Sequence, residues 1–194
     1  GTGAPLADRT VRLVLALKAC SLARGHSGVA WATIEALVRL IETETYPVIP
    51  AKGSVGASGD LAPLAHMACA LIGIGRVRRQ GVEMPAAEGL AAAGIEPLTL
   101  GPKEGLALLN GTQVSTALAL DGLFAAEDAF AAATVAGALS VDAAKGSDAP
   151  FDPRIQAVRG HRGQREMAAL YTELMAGSRI RESHIDCDRV QDPY

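Results

Sequence analysis

Aromatic residues are scarce in this chain, at 4% of 194 residues. A core so poor in rings must be filled by aliphatic side chains, which favours closely packed helices. Cysteine is scarce too. Cys20, Cys69 and Cys187 are odd in number and far apart, which excludes a disulfide framework and fits a reducing, cytoplasmic setting. Acidic residues on both sides of Cys187 would raise its pKa and argue against a reactive thiolate. His26, His161 and His184 share no metal spacing with the cysteines, so no metal site is expected. There is no basic excess: 18 Lys+Arg against 21 Asp+Glu leaves a net charge of -3. Nucleic acid is therefore not an expected partner, and Arg76, Arg78 and Arg79 read as a short solvated run. No apolar run of membrane-spanning length is free of charges, and the first residues lack the basic start and apolar centre of a signal peptide. There is no internal repeat. The chain neither starts with Met nor stops on a terminating pattern, so it is expected to be an internal piece of a larger protein whose apolar faces need partners.

Hydrophobic residues make up 49% and charged residues 20%, the composition of a folded domain. Asp8 can cap a helix running to Arg24, with Val11, Val14, Leu15, Leu17 and Leu22 on its apolar face and Gly25 as its stop. A second helix opens at Ser27 or Gly28 and carries Trp31, Ile34, Leu37, Val38 and Ile41 at helical spacing. Pro47 and Pro50 exclude a helix across Tyr46–Pro50. A third helix follows Asp60, bears Leu64, Met67, Ala68 and Leu71, and ends near Gly73. Arg76 to Met84 carries the one strand signal, a small hairpin turning at Gln80-Gly81. Short helices are expected over Ala86–Ala93 and Pro102–Leu109. Thr112 then caps the longest segment, Gln113 to about Lys145, roughly 50 Å long at 1.5 Å per residue. Asp121, Glu127, Asp128 and Asp142 argue against a membrane span. Being apolar nearly all round, this helix should be buried among others. A loop over Ser147–Pro153, a helix over Gly163–Ala176 and an irregular polar end complete the chain.

Lys52–Asp60 is the most unusual stretch, with three glycines in seven residues from Gly53 to Gly59. One reading is a turn feeding a helix capped by Ser58 or Asp60. A second is an anion nest, weakened by Asp60 and by the absence of a Gly-Lys-Ser/Thr signature. A hydrolase elbow fails, because Gly56-Ala57-Ser58-Gly59-Asp60 lacks the second glycine at the required offset. A third reading uses the backbone. The Gly59 nitrogen could attack the Ala57 carbonyl and close a five-membered ring with loss of water. Loss of a second water from Ser58 would leave an exocyclic methylidene. The product, 4-methylidene-imidazol-5-one, is an electrophile of a kind that no ordinary side chain supplies.

The stretch Gly53-Ser54-Val55-Gly56-Ala57-Ser58-Gly59-Asp60-Leu61-Ala62-Pro63-Leu64-Ala65-His66-Met67 resembles the prosthetic-group signature of the aromatic amino-acid ammonia-lyases, and within them the histidine branch. Three further blocks resemble the family in order along the chain. These are Lys103 to Gln113 with Asn110-Gly111-Thr112, Ser147 to Gln164, and Val190-Gln191-Asp192-Pro193-Tyr194. The resemblance implies a mainly α fold: a helical core fragment with one long buried helix, the electrophile-forming loop, and at most one small hairpin. It reads as a single fragment over 1–194, with the prosthetic-group loop in 1–111 and the start of a central helical bundle in 112–194. It also implies a homotetramer with sites built from several subunits. The implied reaction is loss of ammonia from an L-amino acid, giving trans-urocanate if the substrate is histidine. By position, Ala57, Ser58 and Gly59 would form the 4-methylidene-imidazol-5-one, and Asp60 would assist. Asn110 would hydrogen-bond the ring oxygen or the substrate. Gln191 and Tyr194 would line the pocket.

The departures are expectations as well. The family's tyrosine base, a histidine block, its carboxylate-holding arginine and its C-terminal helical half have no counterpart here. The isolated chain is therefore expected to be inactive, to leave Ala57-Ser58-Gly59 uncyclised, and to self-associate through its long helix. A tyrosine or phenylalanine ammonia-lyase or aminomutase is the alternative within the family. A non-catalytic helical oligomerisation module is the alternative outside it. Taken without the family, Asn110 would be a helix C-terminal residue, Tyr194 a terminus and His66 a packed or surface side chain.

Overall fold

The computed structural model describes residues 1–186 and Asp188. The expected features at Cys187, Gln191 and Tyr194 lie outside the described residues. The chain divides into two compact units, Gly1–Leu123 and Phe124–Tyr194.

In the first unit, α1 (Asp8–Ala23) packs on α2 (Trp31–Glu42). Val11, Val14, Leu15 and Leu22 face Ile34, Leu37 and Leu40 in one core, which also takes in Leu64, Met67 and Leu71 of α3 (Leu61–Leu71). Leu90 of α4 (Ala86–Ala92) and Leu108 of α5 (Glu104–Leu109) close it. The aliphatic spacing along each helix produces this core without help from rings. Two boundaries differ from expectation. Ala7, not Asp8, is the N-cap of α1. Asp8 is free to accept a hydrogen bond from Arg78. The second helix begins at Trp31, after an extended Ala30, and Trp31 itself is exposed.

The hairpin forms where the sequence places it. Strands β4 (Arg76–Arg79) and β5 (Val82–Pro85) pair antiparallel around Gln80 and Gly81, both at positive φ, as a two-residue loop of this type requires. Three further short strands were not expected. Strand β2 (Thr45–Pro47) pairs with β4, making a three-stranded sheet in the order β2-β4-β5. Strands β1 (Thr2–Pro5) and β3 (Pro50–Lys52) form a separate antiparallel pair. Each is three or four residues long and contains proline. Such segments carry no alternating pattern, and proline is tolerated because they lie at edges. Nor are the arginines of β4 merely solvated: Arg78 bridges Asp8 and Glu83.

Helix α6 (Gln113–Ala143) runs 31 residues, close to the expected span. Its expected burial is not met among the described residues: Leu118, Leu123, Phe124, Phe130, Val135 and Leu139 are exposed. By length and composition this stretch could cross a membrane. Its Asp121, however, is used inside the first unit, accepting from Thr10 Oγ1 at 2.9 Å and pairing with Arg9 at 2.8 Å.

In the second unit the loop after α6 holds a 3-10 turn, Ala149–Phe151, and a helix, α7 (Pro153–Arg159), that the sequence reading missed. Asp152 caps α7 by accepting from the Arg154 amide at 2.8 Å. Phe151 stacks on Tyr171 of α8 (Arg162–Leu174), with centroids 5.1 Å apart. Ser178 caps the short α9 (Arg179–Glu182).

Candidate active site around the glycine loop

The stretch from Gly53 to Asp60 links β3 to α3 and bends at Ala57, Ser58 and Gly59. Ala57 and Ser58 are exposed, Gly59 is half-buried, and Asp60 is fully buried. The loop therefore presents its reactive residues outward from an anchored end.

The anchor is Asp60. It stands at the N-cap position of α3, yet its side chain makes no cap bond to that helix, and neither does Ser58. The expected cap is replaced by tertiary bonds. Asp60 Oδ1 accepts from Ser54 Oγ and Ser115 Oγ, each at 2.6 Å. Oδ2 accepts from the Ser115 amide at 2.7 Å. Burial pushes the Asp60 carboxyl up, but hydrogen bonds from Ser115 and Ser54 and from the amides of Ser115 and Val114 outweigh it. The net position is below the usual carboxylate value, so Asp60 is held as an anion. Its own amide donates to the Gly111 carbonyl at 2.7 Å.

Asn110 and Gly111 form the wall opposite. Gly59 has a φ of +109°, and a Cβ there would lie 2.7 Å from Gly111 O and 3.0 Å from Asn110 Oδ1. Only glycine fits. The Asn110 side-chain oxygen thus lies beside Gly59. The plain reading of Asn110 also holds, since it is the C-cap of α5, donating its amide to Leu106 O. Gly111 is likewise restricted: its φ is +142°, and a side chain there would collide with Gln113. A ring closed across Ala57, Ser58 and Gly59 fits these surroundings. The Gly59 position excludes side-chain bulk, Ala57 and Ser58 are exposed, and the Asp60 end of the turn is fixed.

Three residues of this arrangement were not singled out beforehand. Ser54 and Ser115 are ordinary in sequence and become partners of Asp60 only through the fold. Lys18 did leave a signal. It lies at i+4 from Val14, i+3 from Leu15 and i−4 from Leu22, inside the apolar stripe of α1. It is 1% exposed, and its ammonium donates to the Asn110 carbonyl at 2.8 Å and to Gln113 Oε1 at 3.4 Å. Burial pushes its pKa down to about 8. Glu104, also buried, accepts from Ala30 N, Thr33 Oγ1 and Gly101 N at 2.7–2.8 Å, tying the start of α5 to the start of α2. Among the described residues no group of three His, Cys, Asp or Glu side chains could hold a metal ion.

The whole chain, residues 1–194, matches the family described as aromatic amino acid lyase. A histidine ammonia-lyase from Rhodospirillum rubrum is 62% identical over 196 residues, an alignment taking in all of this chain and 38% of that protein. The crystal structure of a histidine ammonia-lyase from Trypanosoma cruzi is 35% identical, with a TM-score of 0.82 over 88% of this chain and 34% of that one. A tyrosine aminomutase from Streptomyces globisporus, 37% identical, superposes with a TM-score of 0.85 over the whole of this chain and 38% of its own. The chain thus spans about two fifths of the length of the curated relatives it matches, in accord with the expectation of a larger protein. With sequence, backbone and loop in agreement, the chain belongs to the aromatic amino acid lyase family.

Proposed function

We propose that this chain supplies the electrophile-forming part of a lyase that removes ammonia from L-histidine to give trans-urocanate. The observation that carries the reading is the seat of Gly59, whose backbone lies against Asn110 and Gly111 with no room for a Cβ, next to the outward-facing Ala57 and Ser58. When formed, the methylidene-imidazolone supplies an electrophilic carbon for the substrate. Asp60, anionic and triply held, fixes one end of the loop. Asn110 offers its side-chain amide to the ring oxygen or the substrate. Gln191 and Tyr194, which the family pattern places in the pocket, lie outside the described residues. The histidine substrate is favoured by 59–62% identity to several curated relatives bearing that name. The exposed apolar face of α6 favours assembly with further copies, in the family's case as a tetramer. A cytoplasmic location fits the scarcity of cysteine and the free thiols of Cys20 and Cys69.

The test is a full-length lyase carrying this sequence, assayed with L-histidine, L-tyrosine and L-phenylalanine, beside its Ser58→Ala variant. Histidine should give urocanate, followed by its ultraviolet absorbance, and Ser58→Ala should be inactive. Turnover of tyrosine or phenylalanine without histidine would overturn the substrate, and full activity of Ser58→Ala would overturn the electrophile.

A further inference from the structure

Lys18 is buried at a position where an apolar residue would complete the stripe of α1. An ammonium placed there is costly unless it is hydrogen-bonded. Its partners among the described residues are neutral, the Asn110 carbonyl at 2.8 Å and Gln113 Oε1 at 3.4 Å, and burial lowers its pKa to about 8. A methionine in its place would fill a similar volume without desolvating a charge.

What the ammonium touches sets its use. It grips the carbonyl of Asn110, whose peptide leads directly into Gly111. That glycine's carbonyl accepts the Asp60 amide at 2.7 Å, and its backbone is the wall against Gly59. Through Gln113 the same ammonium holds the side chain that lies over Gly111. The two peptides that confine Gly59 and Asp60 are thereby tied to the core helix α1.

Resting on the electrophile proposed above, we infer that Lys18 is a positioning residue for closure of the Ala57-Ser58-Gly59 ring, acting through the Asn110–Gly111 turn. In that closure the Gly59 nitrogen bonds to the Ala57 carbonyl carbon. The carbonyl oxygen leaves as water with the Gly59 and Ser58 amide protons. The Ser58 hydroxyl then leaves as a second water with the Ser58 Cα proton, forming the methylidene. No oxidant or reductant is involved. A turn held in one place keeps nitrogen and carbonyl within reach of each other, and freeing the turn costs orientation.

The experiment uses full-length protein produced with wild-type sequence, Lys18→Met, Lys18→Gln and Leu22→Ala. Loss of two waters is followed by intact mass, with thermal unfolding measured on the same samples. Lys18→Met should fold yet lose its waters at least about tenfold more slowly, the effect of releasing one charge-assisted hydrogen bond. Leu22 is buried on the same helix and its aliphatic side chain makes no hydrogen bond to the turn, so Leu22→Ala should lower the unfolding midpoint and mature at the wild-type rate. If Lys18→Met does not fold, Lys18→Gln, polar but one bond shorter, carries the same expectation. Wild-type maturation in a folded Lys18 variant overturns the inference while leaving the electrophile intact. Equal slowing in Leu22→Ala reduces Lys18 to a structural role and also overturns it. A wild-type protein that never loses two waters removes the electrophile itself, and the inference with it.

Discussion

Asp60 and Lys18 are opposite charges on the two sides of one turn, and they respond to pH in opposite windows. The folded Asp60 carboxyl lies below its ordinary value of 3.8. Its stabilising contribution is complete above that value and is lost as pH falls through the folded pKa. Asp60→Asn should cost about 1–3 kcal/mol near neutral pH, because a buried acceptor of two hydroxyls and an amide is replaced in part by a donor. The gap between wild type and Asp60→Asn should narrow as pH falls below 3.8, which urea unfolding at pH 6 and pH 3 would measure. An equal gap at both values would refute the account. Lys18 acts with the same sign in the alkaline window, although there it is loss of the charge that stabilises. Its folded pKa is about 8 against 10.5 when exposed, so between those values the unfolded chain binds more protons and stability rises with pH. In Lys18→Met that rise should be absent, and the stability difference between the two proteins should shift in favour of wild type from pH 8 to pH 10. A difference that stays flat would mean that Lys18 is not desolvated as described. The sequence announced Ala57, Ser58, Gly59, Asp60 and Asn110 through their motif. It hid the role of Ser115, 55 positions from Asp60, since a serine becomes a partner only when a distant segment arrives beside it, and it gave Ser54 no role although Ser54 lies in the same loop.

Among the elements, α6 carries the largest unmet demand. Phe130 is 59% exposed and Leu139 63%, on a helix that is apolar nearly all round. Covering two such side chains at an interface is worth about 3–6 kcal/mol in all, a hundredfold or more in dissociation constant. Phe130→Lys combined with Leu139→Lys should therefore weaken self-association at least about a hundredfold while leaving the fold within ~0.5 kcal/mol per site, the usual range for exposed positions. Sedimentation at micromolar concentration decides it: a monomeric wild type, or an unchanged oligomer in the double variant, contradicts the expectation. The extent of α6 was readable because its 31 residues contain no proline and only two isolated glycines, Gly122 and Gly137. Its burial was not, because burial depends on what else is packed against it. The β2 and β3 strands were unreadable for the reverse reason: three residues with a proline become strands only by pairing with segments elsewhere in the chain.

At the scale of the molecule, the chain covers 38% of the length of its curated relatives. The 194 residues taken alone are expected to turn over histidine far more slowly than a full-length lyase. A general base is worth ~10²–10⁴-fold, and substrate positioning adds to it. Urocanate formation, measured at equal molar concentrations of the two proteins, is the check. Turnover by the 194 residues within tenfold of the full-length rate would show that the described loop and its neighbours suffice.

Local pattern alone was enough for the helical class, the run of α6, the hairpin at Gln80-Gly81 and the unusual glycine loop. All of these are written in local spacing or in a contiguous motif. It took the fold to anchor Asp60 by Ser54 and Ser115 rather than as a cap of α3. Only it decided that Lys18 reaches Asn110 and that Gly59 lies against Gly111. Apart from Ser54–Asp60, six positions apart, those contacts join residues 52 to 92 positions apart, and no local pattern encodes a meeting that hydrophobic packing of separate helices brings about.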